Sequence, residues 1–288
     1  MNIVYVDNIE SAELAPYTRL TERQLQNTLH PEEGLFICES MKVIRVALAA
    51  GITPVSFLCE EKFLAQVETL TSIIQDDGLP VYTAERDLLR QLTGYELSRG
   101  VLCCMRRPKL PLVADLLLSL HSPSSSLRVA VLDGVVNSEN TGAIFRAAAS
   151  LGIDAVLLTR TCCDPLNRRA CRVSMGTVFQ LPWTWLDRIK NEELRMKNYP
   201  EVLRCLGFKT VALALTDRSV PIDDPVLKRV DKMAVVMGTE GDGLSDSVLR
   251  MADYVARIPM QRGVDSLNVA AAAAVAFWEL GKPPAAQG

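Results

Sequence analysis

The chain has 288 residues, 49% of them hydrophobic and 23% charged, with a formal net charge of −3. That is enough material for two ordinary globular domains with their own cores. It excludes a protein whose whole surface is a positive field, so a nucleic-acid partner has to be met by local basic patches. No apolar run approaches the length of a membrane span, and "MNIVYVDNIE" lacks the charged-then-apolar pattern of a secretory signal, so a cytoplasmic protein without a membrane partner is expected. The eight Cys occur singly or as adjacent pairs without C-x-x-C spacing, and there are only two His, His30 and His121. Reduced cysteines and no metal site follow as expectations.

The first stretch alternates short apolar runs with helical patterns. "GLFICES" reads as a strand, "SMKVIRVALAAG" as a helix stopped by Gly51, "TPVSFLCE" as a strand, "EKFLAQVETLTSII" as a helix and "LPVYTA" as a strand. This predicts a small α/β domain over 1–108. "RRPKLPLVADLLLSLHSPSSS" carries Pro108, Pro111 and Pro123 and ends in a Ser cluster, which reads as a linker over 109–126.

Beyond the linker, "LRVAVLD", "DAVLLT", "KTVALAL", "KMAVVMG" and "YVARIPM" are near-continuous apolar runs, the pattern of parallel strands covered on both faces. Helices are predicted at "TGAIFRAAASLG", "EELRMKNYPEVLRCLG" and "SDSVLRMAD", giving a doubly wound α/β domain over 127–288. In such folds ligands lie beyond the carboxyl ends of the strands. Three strand ends there are unusual: "GVVNSENTGAIFRAAA", "GTEGDGLSD" and "QRGVDSLNVA" each lead a polar or Gly-rich loop into a helix. Singly they are undecided. "GTEGDG" is neither a dinucleotide fingerprint nor a P-loop and serves equally as a turn before a helix capped by Ser245. Asn140 reads equally as a cap for a helix beginning near Thr141. Arg146, between Phe145 and Ala147, calls for an ionic or phosphate partner if its helix is buried. In "VDSLNVAAAAAVAFWEL" two polar residues, Ser266 and Asn268, open a helix that one cap would serve.

Taken together, "NSENTGAIFRAAASLGIDAVLLT", "VVMGTEGDGLSD" and "IPMQRGVDSLNVAAAAAV" resemble the three motifs of the SpoU (TrmH-like) RNA 2′-O-ribose methyltransferases of the SPOUT superfamily, and "DPLNRRACRVSMGTVFQLP" resembles the stretch between the first two. The first hundred or so residues resemble, more weakly, the L30e-like RNA-binding domain that precedes the catalytic domain in many members. The resemblance implies an α/β fold whose C-terminal parallel sheet carries a deep trefoil knot, preceded by a small L30e-like α/β domain. It implies S-adenosyl-L-methionine as cofactor, held by Gly238, Ile258 and Leu267. It implies a catalytic cluster of Asn140, Arg146, Glu240, Ser266 and Asn268, with Leu267 facing the cofactor while Ser266 and Asn268 turn toward Asn140 and Arg146. It also implies a homodimer formed through the knotted domain, to which Phe277 and Trp278 of the final helix would contribute.

The activity implied is methylation of a ribose 2′-hydroxyl in a structured ribosomal or transfer RNA; a protein of the same fold that binds RNA and methylates nothing is the alternative. A nicotinamide-dependent dehydrogenase is set aside for want of a glycine fingerprint. Because a guanidinium stays protonated, with a pKa above about 12, Arg146 is assigned to a phosphate or to polarising the 2′-oxygen rather than to proton abstraction. Arg168, Arg169 and Arg172 are expected to contact RNA near the rim of the active site, while Arg19, Arg23, Arg106, Arg107 and Lys109 read either as further RNA contacts or as a solvated face. The first motif departs from the family's common Asn-Pro-Gly-Asn: here it is "NSEN", and Glu139 adds a negative charge where a phosphate is expected. Ala270 stands where many members carry Ser.

Overall fold

The computed structural model describes the chain except residues 9, 19, 31, 32, 75, 77, 94–99, 121–125 and 283–288. Arg19, His121 and the Ser-rich end of the expected linker therefore lie outside the described residues. The chain forms two compact units, Met1–Lys109 with Leu166–Gln180, and Leu110–Pro165 with Leu181–Gly288.

The first unit is built on a five-stranded sheet of order β1-β4-β3-β5-β2. Its strands are β1 (Asn2–Tyr5), β2 (Leu35–Glu39), β3 (Pro54–Cys59), β4 (Pro80–Thr83) and β5 (Val101–Arg106). β4 runs parallel to β1 and β3, while β5 is antiparallel to β2 and β3. The helix Met41–Ala49 buries Val43, Ile44 and Ala47 and ends where Gly51, at φ +79°, turns the chain, as its sequence predicts. Burial pushes the thiols of Cys59 and Cys104 up to about 12, which keeps them from acting as thiolates near neutrality.

The segment Leu166–Gln180 groups with this first unit rather than with the domain that contains it in sequence. Its short helix, Arg168–Val173, is capped by Asn167. The Arg168 Nε lies 3.1 Å from Glu39 Oε2, and the Arg172 Nη1 lies 3.3 Å from Glu39 Oε1. Glu39, at the end of β2, is 2% exposed. A carboxylate that deeply buried has to be paired, and two guanidiniums supply the pairing. Of the three arginines expected to contact RNA, Arg168 and Arg172 pair with Glu39, while Arg169 is exposed.

The second unit carries an all-parallel seven-stranded sheet of order β10-β12-β9-β11-β6-β7-β8. Its strands are β6 (Leu127–Leu132), β7 (Ala155–Leu158), β8 (Trp183–Trp185), β9 (Lys209–Leu213), β10 (Val220–Pro221), β11 (Lys232–Met237) and β12 (Tyr254–Arg257). β6 lies between β11 and β7, with Val131 opposite Val236 on one side and Leu157 on the other. Every residue of β6 and β7 is buried, as expected of parallel strands covered on both faces. The expected linker is partly core: Val113–Ser119 is a helix whose Val113, Leu116 and Leu117 pack into the hydrophobic cluster of this unit. Pro108 and Pro111 precede this helix and leave its hydrogen bonds intact. Arg128, only 8% exposed, donates from Nε to Leu280 O at 2.8 Å and from Nη1 to Asp231 O at 2.8 Å, tying the C-terminal helix to the start of β6. No described helix is long and apolar enough to cross a membrane.

Candidate active site

Three loops leave the carboxyl ends of β6, β11 and β12. The first passes through Gly134 and enters the helix Ser138–Ser150. The cap of that helix is Asn137, whose Oδ1 accepts from the backbone N–H of Glu139 at 2.8 Å and of Asn140 at 3.1 Å. Asn140 is thereby relieved of the capping role the sequence left open, and its side chain is available for tertiary contacts.

The second loop, after β11, folds back on itself: Thr239 N–H donates to Gly243 O at 3.1 Å, and Asp242 N–H donates to Thr239 Oγ1 at 3.1 Å. Gly238 has to be glycine here, because a Cβ would stand 2.5 Å from Gly243 O and 2.6 Å from Leu244 N. Ser245 caps the following helix, Asp246–Met251, by accepting from Val248 N–H.

The third loop, after β12, leads to the helix Val269–Leu280. Its cap is Asn268, whose Oδ1 accepts from Ala270 N–H at 3.0 Å and Ala271 N–H at 3.3 Å. Ser266 is exposed and takes no part in capping. That assignment fixes the rest of the chain of amides. With its oxygen committed to the helix, Asn268 presents Nδ2, which donates to Asn140 Oδ1 at 3.0 Å. Asn140 then presents its own Nδ2 to Glu240 Oε1 at 3.0 Å. The same Glu240 oxygen accepts the Asn137 N–H at 3.2 Å. Each amide orientation follows from the one before it, starting from backbone donors whose direction is beyond doubt. The three strand ends are therefore joined by one directed relay, Asn268 to Asn140 to Glu240.

Partial burial raises the Glu240 carboxyl, but the hydrogen bonds from Asn140 and from backbone N–H groups outweigh it and hold the group below its ordinary value of 4.5. A carboxyl shifted downward contributes its full stability above the unfolded value and loses it as the pH falls through the folded one. The thermal stabilities of the parent and Glu240→Gln should therefore differ most near neutrality and converge on acidification. A pH-independent difference in melting temperature would contradict this arrangement.

Beside the relay lies a cavity of about 790 Å³ at the ends of β9, β11 and β12. Gly238, Glu240, Ile258, Ser266, Leu267 and Asn268 all line it. Asn140 is half-buried and reaches the cavity lining through its two hydrogen bonds. Arg146 is not brought there. It lies six residues further along the helix, about 120° round from Asn140. The helix buries Ile144, Phe145 and Ala148, and Arg146 is exposed on the other side, so it has no need of the buried partner anticipated for it. Its side chain makes no hydrogen bond or ion pair among the described residues.

Sequence reasoning missed Asn137, which caps the helix and also donates to Glu240. Its signal was present, an Asn directly before the first helical turn. It also missed the end of β9 and the loop after it, where Leu213, and then Ala214 and Leu215, line the cavity; the apolar run "KTVALAL" hides the point at which the strand ends. Among the described residues, no group of three or more His, Cys, Asp or Glu is placed to hold a metal ion.

Residues 127–278 match the model of the SpoU rRNA Methylase family. A protein of Mycobacterium bovis named as an uncharacterized tRNA/rRNA methyltransferase is 37% identical over 251 residues, which cover 86% of this chain and 81% of that protein. The 23S rRNA (guanosine-2′-O-)-methyltransferase RlmB of Acinetobacter baylyi is 28% identical over 214 residues, 74% of this chain and 83% of its own. Among solved structures, the AdoMet-bound rRNA methyltransferase from Sinorhizobium meliloti has a TM-score of 0.75 at 23% identity, covering 96% of this chain and 97% of that one.

Proposed function

Because the chain belongs to the SpoU rRNA methylase family, we propose that it transfers the methyl group of S-adenosyl-L-methionine to a ribose 2′-hydroxyl of a structured ribosomal or transfer RNA. The observation that carries this reading is the directed amide relay at the edge of the cavity, which gives a polar reacting group a fixed set of partners beside a ligand-sized space.

The lining fits the methyl donor. At about 790 Å³ the cavity falls within the range of small-molecule sites, roughly 300–1,000 Å³. Ile258 and Leu267 offer apolar contact to the faces of a purine, and the backbone about Gly238 offers groups to its edge. When bound, the donor supplies an electrophilic methyl group on sulfur. The remaining work is alignment and loss of the 2′-hydroxyl proton, which passes to solvent at the exposed rim, and a hydroxyl held in line with that methyl gains most from fixed neighbours. Asn140 and Asn268 orient the ribose, with Ser266 beside them on the exposed rim. Glu240 already accepts two N–H groups on one oxygen and is held in its weakly basic form. Its role is therefore to fix the Asn140 amide rather than to take the hydroxyl proton. Arg146, exposed and away from the cavity, binds a backbone phosphate of the RNA near the target ribose. RNA is the substrate because only RNA carries the hydroxyl.

The same premise supports three structural readings. The chain after β12 passes through a loop to form a deep trefoil knot, consistent with the loop after β11 and the segment 258–268 lining one cavity. The first unit is an L30e-like RNA-binding domain. Two copies associate through the knotted domain, where Trp278 is 77% exposed and Val275 40% on the final helix.

The test is to map ribose methylation in RNA from cells with and without the gene. One site should disappear, return with the intact gene, and fail to return with Arg146→Ala. No change at any site would contradict the activity.

A further inference from the structure

The segment between Met260 and Val264, both of which line the cavity, holds an unusual turn. Arg262 has φ +59° and Gly263 φ +70°, and Val264 N–H donates to Gln261 O at 3.2 Å. Two consecutive left-handed residues closed by that hydrogen bond make a type I′ turn, whose first central position favours Asn, Asp or Gly. An arginine there accepts a backbone penalty that glycine would avoid. Its side chain is exposed, and it has no hydrogen bond or ion pair among the described residues. The charges around it explain what such a group would do. The cavity lining carries three carboxylates, Glu240, Asp242 and Asp265, against one cation, Arg257. The Arg257 guanidinium already donates to Ser219 O at 2.9 Å. A polyanion approaching this mouth meets net repulsion unless a cation outside the lining offsets it.

We infer that Arg262, displayed at the tip of this turn, binds a backbone phosphate of the RNA substrate beside the ribose presented to the cavity. This rests on the proposed activity and names a substrate-positioning contact for it. An anionic oxygen is the chemistry recognised; the carboxylate of the methyl donor is the other source of one, and the experiment separates the two.

Arg262→Gly is the informative variant, since glycine keeps the left-handed turn while deleting the charge; Arg262→Lys restores charge without the fork. Calorimetric titration with S-adenosyl-L-methionine reports donor affinity. Labelled-methyl incorporation into total RNA, ribosomal and transfer RNA together, from cells lacking the gene, at several salt concentrations, reports the KM for RNA. Arg262→Gly should raise that KM roughly tenfold, the scale of one charge-assisted contact. It should also reduce the dependence of log KM on log salt by about one unit. Donor affinity should stay put, and Lys should recover part of the loss. An unchanged KM and salt dependence would overturn the inference, as would a loss confined to donor affinity, which would assign Arg262 to the donor carboxylate. If the parent protein itself neither bound donor nor labelled RNA, the proposed activity would fail, and this inference with it.

Discussion

Asn140→Ala is expected to slow methyl transfer at saturating donor and RNA by about two orders of magnitude, the cost of a reacting group misplaced by about 1 Å. Asn140 is the middle of the relay, with Oδ1 taken by Asn268 and Nδ2 given to Glu240. Its removal uncouples the loop after β11 from the cap of the final helix. Both partners remain within reach of water, so the loss to stability should be small, below about 1 kcal/mol. Donor affinity should change little, because Asn140 lies outside the cavity lining. Single-turnover labelling measures the rate and calorimetry the affinity. A variant within threefold of the parent rate would sink the positioning role. Asn140→Asp is a sharper form of the same test. It puts a second carboxylate against Glu240 in place of the donating amide, and should fare no better than alanine.

Gly238→Ala should abolish detectable donor binding. The added methyl cannot coexist with Gly243 O at 2.5 Å and Leu244 N at 2.6 Å, both backbone atoms, so the loop itself has to move. That loop supplies Glu240 and Asp242 to the cavity, and Gly243 and Leu244 line it as well. A shift of about 1 Å there breaks the fit of a packed ligand. The fold should survive, since β11 is anchored by both neighbours, β6 and β9. A cooperative unfolding transition with donor affinity lost, roughly a hundredfold or more, is the expected pair of results. Unaltered affinity would mean that the donor sits elsewhere.

The strands of the parallel sheet were legible because burial on both faces writes itself as near-continuous apolar runs, VAVL in β6 and MAVVM in β11. Others were not. All four residues of β1 are exposed, so no burial pattern marks it. β5 buries five of its six residues, but its Cys pair and the arginines at its end read as charge chemistry instead. β10 is two residues ending in proline, which sits at the sheet edge where a missing N–H does no harm. The placement of Leu166–Gln180 depends on Glu39, more than a hundred residues earlier, and no local pattern announces a pairing at that separation.

For the candidate site, the resemblance supplied the residues, and simple helix arithmetic supplied a limit on them. Asn140 and Arg146 are six apart, a spacing that cannot share one face of an α-helix. The separation seen between them was therefore available from the sequence alone. The division of labour between Ser266 and Asn268 was not. Which of two polar residues either side of Leu267 caps a helix depends on where the turn begins, and sequence places helix ends only to within a residue or two.

The most direct test is a crystal structure of the protein with S-adenosyl-L-homocysteine. The account predicts the adenine against Ile258 and Leu267, its edge on the backbone beside Gly238, and the sulfur turned toward Asn140 and Asn268. Electron density for the ligand anywhere outside the cavity between β9, β11 and β12 would contradict it.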